Sequence, residues 1–396
     1  MPAHSPGNEN TVTREHRGRR EIAPLVSGIQ ACNTDASLAS KTRDVKLILA
    51  VHLLVALLAT GLMLPTNTAV AASNCKLGKI ADLPVRPGGG APVVDGAVNG
   101  QMIGVMLDTG GGTMILRSAA DRLGLTRQQV TGARVFGVGG ETHVEEALVD
   151  EFRVGQITRK NLQMIVVGER DFGNRIDAIL GEDFFNKIDV EFDLPHNAVR
   201  LFQAKDCDRV SLAYWATQGA GEIEMATFLN AGAWIVLTVQ INGQPMQAEL
   251  DSGSYASVLD KSTAERLGIT PDSPGVVPGG KAGGLGSKSV DSWIAPLRSF
   301  TIGDETIRDT TIRFADLWKD ATYTSTGSHL HRKLGDAPPM LLGADFLRAH
   351  RVLVAHSQRK VYFTYEGGPV FQPKGTPETR PVPAPDRGSK AGAEAN

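Results

Sequence analysis

The chain has 396 residues, with 41 Lys and Arg against 43 Asp and Glu and a formal net charge of −2. So balanced a charge implies no general attraction to nucleic acid. The length would hold two or three domains if all of it packed, but both ends lack the apolar pattern that a core requires.

Residues 1–44 are polar and aperiodic and read as a disordered head, in which Arg17 to Arg20 are a solvated run. Val45 to Leu64 is nearly all apolar, with Lys41, Arg43 and Lys46 at its start and Ala69-Val70-Ala71 after it. Basic flank, apolar middle and small-residue exit are the layout of a secretory signal over 45–71, cleaved after Ala71. An uncleaved inner-membrane anchor through residues 45–64 is the alternative. Either places the remainder outside the cytoplasm, periplasmic or secreted. A lipid on Cys75 is disfavoured by the bulky polar Asn74 before it.

Two segments then repeat one another. Asp108-Thr109-Gly110 and Asp251-Ser252-Gly253 each follow an apolar run and precede an apolar pair, Ile115-Leu116 and Val258-Leu259. Asn99-Gly100 and Asn242-Gly243 stand at the same distance before the two aspartates, and Asn-Gly is a strong hairpin signal. Ala120 to Leu125 and Ala264 to Ile269 each read as a short helix ended by glycine. Gly137-Val138-Gly139 answers Gly284-Leu285-Gly286, Phe152 to Gly155 answers Phe300 to Gly303, and Ile179 to Phe184 answers Leu341 to Phe346. Landmarks in one order in both halves indicate an internal duplication. The second half carries an extra stretch between Asp316 and Pro339, read as a surface loop.

Short alternating apolar runs separated by Gly and Asn-Gly turns predict an all-β protein of two barrel lobes, with one short helix per lobe. Lobe one is read as 76–206, a connector as 207–227, lobe two as 228–366, and a Pro- and Gly-rich disordered tail as 373–396. Cys32 lies before the apolar stretch; Cys75 and Cys207 bracket the first repeat. An exported chain meets oxidising conditions, which predicts a Cys75–Cys207 disulfide, with two unrelated thiols as the alternative.

Other signals carry less. Gly275 to Lys281 spans most of a phosphate-binding loop, but Ala282 stands where a hydroxyl would hold magnesium. His329 and His331 have no Cys or carboxylate at a ligand spacing. There is no Gly-x-Ser-x-Gly elbow, and Trp215, Trp234, Trp293 and Trp318 are scattered anchors. No metal and no cofactor is expected.

The paired motifs resemble the pepsin and retropepsin superfamily of aspartic proteases, more narrowly bacterial retropepsin-like proteins in tandem single-chain form. The resemblance covers nearly all of residues 90–365 and implies two lobes about a pseudo-two-fold axis. It implies that Asp108 and Asp251 are the catalytic pair and that Ile179-Leu180-Gly181 and Leu341-Leu342-Gly343 are the backing strands, with Gly181 and Gly343 beneath the loops. Gly137, Val138, Gly139 and Gly284, Leu285, Gly286 correspond to two flap tips, whose glycines allow a peptide to enter and be covered. Neither flap segment contains Tyr, which favours the near-symmetric retropepsin arrangement.

Two copies suit the chemistry. Carboxylates about 3 Å apart share one proton, so one can activate water while the other donates to the peptide carbonyl. Thr109 and Ser252 can buttress the facing loop; Gly110 and Gly253 accommodate the tight turn. Ser254 is expected to hydrogen-bond its carboxylate. Gly111 and Gly112 carry no such side chain, so the lobe-one loop is expected to be looser. The implied activity is an exported aspartic endopeptidase acting as a monomer on an extended polypeptide. A periplasmic peptide-binding protein without turnover is the alternative, and an enzyme awaiting removal of its head or tail a third.

Overall fold

The computed structural model describes residues 74–371 apart from 89, 169–171, 173–175, 227–233, 320–321, 325–330 and 334–337. The chain divides into Met1–Val70 and Ala71–Asn396, and every described residue belongs to the second unit. The head, the apolar stretch 45–64, Cys32, His329 and the tail lie outside the described residues.

The first half runs β1 (Lys76–Pro84), β2 (Val93–Val98), β3 (Gln101–Leu107), β4 (Met114–Leu116), α1 (Arg117–Arg122), β5 (Arg127–Gly137), β6 (Gly140–Val154), β7 (Ile157–Val167), β8 (Ala178–Leu180), α2 (Glu182–Phe185), β9 (Asp189–Asp193) and β10 (Ala198–Lys205). After β11 (Gly221–Glu224), the second half repeats the series as β12 (Val236–Ile241), β13 (Gln244–Leu250), β14 (Val258–Asp260), α3 (Lys261–Arg266), β15 (Val277–Ala282), β16 (Val290–Ile302) and β17 (Glu305–Ala315). A ribbon of β18 (Thr322–Thr324) and β19 (His331–Lys333) is inserted before β20 (Met340–Leu342), α4 (Ala344–Ala349), β21 (His350–Ala355) and β22 (Lys360–Tyr365).

Strands β2-β3-β8-β4-β7-β6 close into a barrel through β2–β6 pairing, with β5 extending outside β6. The second barrel has the same order, β12-β13-β20-β14-β17-β16, closed by β12–β16 and extended by β15. The hairpins form where Asn-Gly predicts them. Asn99 and Gly100 have φ of 48° and 78°, and Asn242 and Gly243 have 52° and 83°, the left-handed values that a two-residue turn demands. Alternation along β6 and β16 puts apolar side chains inward, where Phe300, Phe314, Ile103 and Leu107 are sealed in the core.

Three features depart from the sequence expectation. Each lobe has two short helices rather than one, because α2 and α4 follow Gly181 and Gly343 and are too short to show a helical period. The stretch read as a surface loop holds the β18–β19 ribbon. Finally, β1, β9 and β10 join β11, β21 and β22 in one six-stranded sheet, ordered β1-β10-β9-β21-β22-β11. The two halves meet in it at β9–β21, with Val190 opposite Val354. The segment 207–227 therefore contributes a strand, β11, to this sheet. Cys75 and Cys207 form the expected disulfide, with Cα atoms 4.4 Å apart. It joins the outer ends of β1 and β10, which are antiparallel neighbours.

Candidate active site

Each aspartate follows the last residue of an apolar strand. The Asp108 N–H donates to Leu180 O at 3.0 Å, and the Asp251 N–H donates to Leu342 O at 3.0 Å. A parallel neighbour thus fixes each loop where it leaves its barrel. The next residues lock the loops together. The Thr109 N–H donates to Ser252 Oγ at 3.0 Å, and the Ser252 N–H donates to Thr109 Oγ1 at 3.0 Å. The hydroxyls then donate across the interface, Thr109 to Leu250 O at 2.5 Å and Ser252 to Leu107 O at 2.8 Å. Both side chains are buried and every one of these donors and acceptors is satisfied.

This lock brings the two carboxyl groups near enough for the charge of Asp108 to act on Asp251. A Cβ on Gly110 would stand 2.7 Å from Asp251 Cγ, and one on Gly253 would stand 2.3 Å from Asp108 Cγ. Each loop glycine therefore faces the opposite aspartate, and any side chain there would separate the pair. The Gly110 N–H donates to Asp108 Oδ1 at 2.9 Å, and the Ser254 N–H donates to Asp251 Oδ1 at 3.0 Å. Both carboxyls keep some open surface, yet burial is the largest influence on each and raises both above the ordinary value of 3.8. Asp251 is raised well above it, since the Asp108 charge adds to burial.

Gly181 and Gly343 sit directly behind the loops. A Cβ on Gly181 would lie 2.2 Å from Gly111 O, and one on Gly343 would lie 2.6 Å from Ala256 O. Their N–H groups donate to Thr113 Oγ1 at 3.0 Å and to Ser257 Oγ at 2.9 Å.

The flap segments meet tip to tip. The Lys288 N–H donates to Gly139 O at 3.0 Å. A Cβ on Gly286 would come within 2.1 Å of Gly139 O, and one on Gly139 within 2.2 Å of Lys288 O. Gly137 faces Leu285, and Val138 packs on the lobe-two patch of Val258, Val290, Ala315, Leu317 and Leu341. Here the flap glycines serve close backbone approach.

A sequence profile of the aspartyl protease family matches residues 94–184 and 237–346. The chain belongs to the aspartyl protease family. Its pepsin- and retropepsin-like fold is present as a tandem duplication. Among solved structures, the aspartic proteinase from Irpex lacteus matches at 13% identity and a TM-score of 0.44, over 73% of this chain and 97% of that one. No curated protein sequence matched.

Within this member of the family, one expectation is corrected. The Ser254 hydroxyl donates to Ala256 O at 2.8 Å and does not touch Asp251. The backbone N–H does that work, and the Gly110 N–H does the same for Asp108. A main-chain donor needs no side chain, so lobe one is held as its partner is.

Four further residues hold the site. Asp183 accepts from the Thr113 N–H at 2.7 Å, and Asp345 accepts from the Ser257 N–H at 2.9 Å and the Ser257 hydroxyl at 2.6 Å. The second matched pair of aspartates, one in each Gly-x-Asp-Phe, was the available signal. Glu249 gave none. It is 3% exposed, and burial followed by the charges of Asp251, Asp108 and Glu182 holds its carboxyl well above the ordinary 4.5. Among the described residues no group of His, Cys, Asp and Glu could hold a metal ion.

Proposed function

We propose that this chain is an exported aspartic endopeptidase whose Asp108/Asp251 pair activates water against a peptide bond. The observation that carries the reading is that each loop glycine sets its loop against the opposite aspartate, the two loops being held by reciprocal Thr109–Ser252 contacts. Two carboxyls in contact keep one proton between them. Both carboxyls are raised by burial and the pair titrates as a unit, so the shared proton belongs to the pair and not to one aspartate.

The ionised member of the pair removes a proton from water as the water oxygen bonds to the peptide carbon. The protonated member donates to the carbonyl oxygen, where charge accumulates. The tetrahedral intermediate collapses with cleavage of the C–N bond, and the leaving nitrogen takes the proton collected by the pair. The substrate lies extended between the lobes beneath the flaps. Export through residues 45–71 agrees with a disulfide in the folded unit.

Asp108→Asn and Asp251→Asn should each reduce cleavage of a peptide library below neutral pH by on the order of 10³-fold. Retention of cleavage in both variants overturns the proposal.

A further inference from the structure

The duplication supplies an internal control for the cleft. Residues directly opposite one another on paired strands project to the same side of the sheet. In lobe one, pairing places Met106, Ile179, Met114 and Ile165 in one row. In lobe two the equivalent row is Glu249, Leu341, Val258 and Arg313. Alternation along the strands puts both rows on the face opposite Leu107 and Ile115, or Leu250 and Leu259. Glu249 precedes Asp251 by two residues and shares its face. The lobe-one flap residue Val138 packs against the cluster that includes Leu341 and Val258 of the same row. The lobe-two row therefore lies under the lobe-one flap, with its Glu249 end beside the aspartates.

Lobe one is apolar throughout this row, whereas lobe two carries two charges. Arg313 is satisfied locally: it donates to Gly279 O and to Ser292 Oγ. It lies three strands from Glu249, roughly 14 Å at ordinary strand spacing, and cannot serve as its counter-ion. Every charge acting on Glu249 is another carboxyl: Asp251, Asp108 and Glu182. Its Oε1 is sealed from solvent and has no hydrogen-bond partner among the described residues. A buried carboxyl in that position costs stability unless something supplies the missing donor.

We infer that Glu249 is a specificity determinant that receives a Lys or Arg side chain of the substrate next to the scissile bond. The matching place in lobe one, built on Met106, receives an apolar side chain. A cationic side chain brings both the donor that Oε1 lacks and the positive charge absent from its surroundings. The inference rests on the endopeptidase reading and names the substrate class of that site.

The test compares peptides that differ only by Lys or norleucine at one position beside a mapped cleavage point, using the full chain. Wild type should favour Lys by about tenfold or more in kcat/KM, as a charge-assisted hydrogen bond provides. Glu249→Gln should reduce that preference to about twofold, and Glu249→Met, which copies lobe one, should reverse it. Cleavage without basic preference, or a preference that survives Glu249→Gln, overturns the subsite and leaves the endopeptidase reading intact. No cleavage of any peptide overturns the endopeptidase reading. The same peptide pair is then compared by binding affinity, where loss of Lys preference in Glu249→Gln supports the subsite and its persistence or absence overturns it.

Discussion

At the residue scale, the site depends on what is missing as much as on what is present. Gly253 has no Cβ, and one placed there would fall 2.3 Å from Asp108 Cγ. Gly253→Ala should therefore leave a folded protein, because the residue is in a loop, yet reduce kcat/KM on the order of 10²-fold by displacing the aspartate. Wild-type activity in that variant would contradict the geometry. Glu249 makes a second, pH-dependent prediction. Its folded value is raised, so its stabilising share is complete below the ordinary 4.5 and is lost as pH rises through the folded value. Glu249→Gln should thus raise Tm relative to wild type near neutral pH, and the gain should vanish near pH 4. A gain that does not vary with pH would show that Glu249 does not titrate as the geometry requires. Asp108 and Asp251 are raised by the same cause, burial, and add to the same trend.

At the element scale, the shared sheet is where the halves are fastened. Buried Glu191 on β9 accepts from Arg200 on β10 and, at 3.1 Å, from Arg351 on β21. Asp193 accepts from Arg200 at 2.9 Å and pairs with His196 at 2.6 Å. Burial opposes its charge, but these bonds prevail and hold Asp193 below the ordinary carboxylate value. Arg351 also lies 4.6 Å from the Trp215 ring centroid, which fixes the connector against the second half. The Cys75–Cys207 bond closes a separation of 132 residues at the edge of this sheet. Replacing both cysteines by Ser should lower unfolding free energy by about 2–5 kcal/mol, measured by denaturant titration. No change on reduction of the wild type would remove the disulfide from the folded state.

At the scale of the whole molecule, one chain supplies both aspartates and both flaps. The reciprocal contacts of Thr109 and Ser252 cross between lobes of the same chain, so no second copy is needed to complete the site. Activity per chain should therefore stay constant on dilution from micromolar to nanomolar concentration, with sedimentation as a single chain. Activity that falls with dilution would show that a second copy takes part.

Much of this was legible in the residues themselves. The Asn-Gly turns, the glycine-ended helices and the two Asp-Thr/Ser-Gly loops are local, because φ preference and apolar alternation act over a few residues. Repetition of those local signals was enough to pair Asp108 with Asp251. The shared six-stranded sheet was not legible, since Glu191 and Arg351 are 160 residues apart and neither strand carries a mark of its partner. Glu249 shows the same division most sharply. In sequence it is one acidic residue in a strand of mixed apolar and polar residues. Only the strand register, which sets it in the row that Met106 occupies in the other lobe, turns it toward the aspartates and leaves its charge unanswered. Local conformation follows from neighbouring residues, but burial and charge environment come from segments that meet only when the chain is folded.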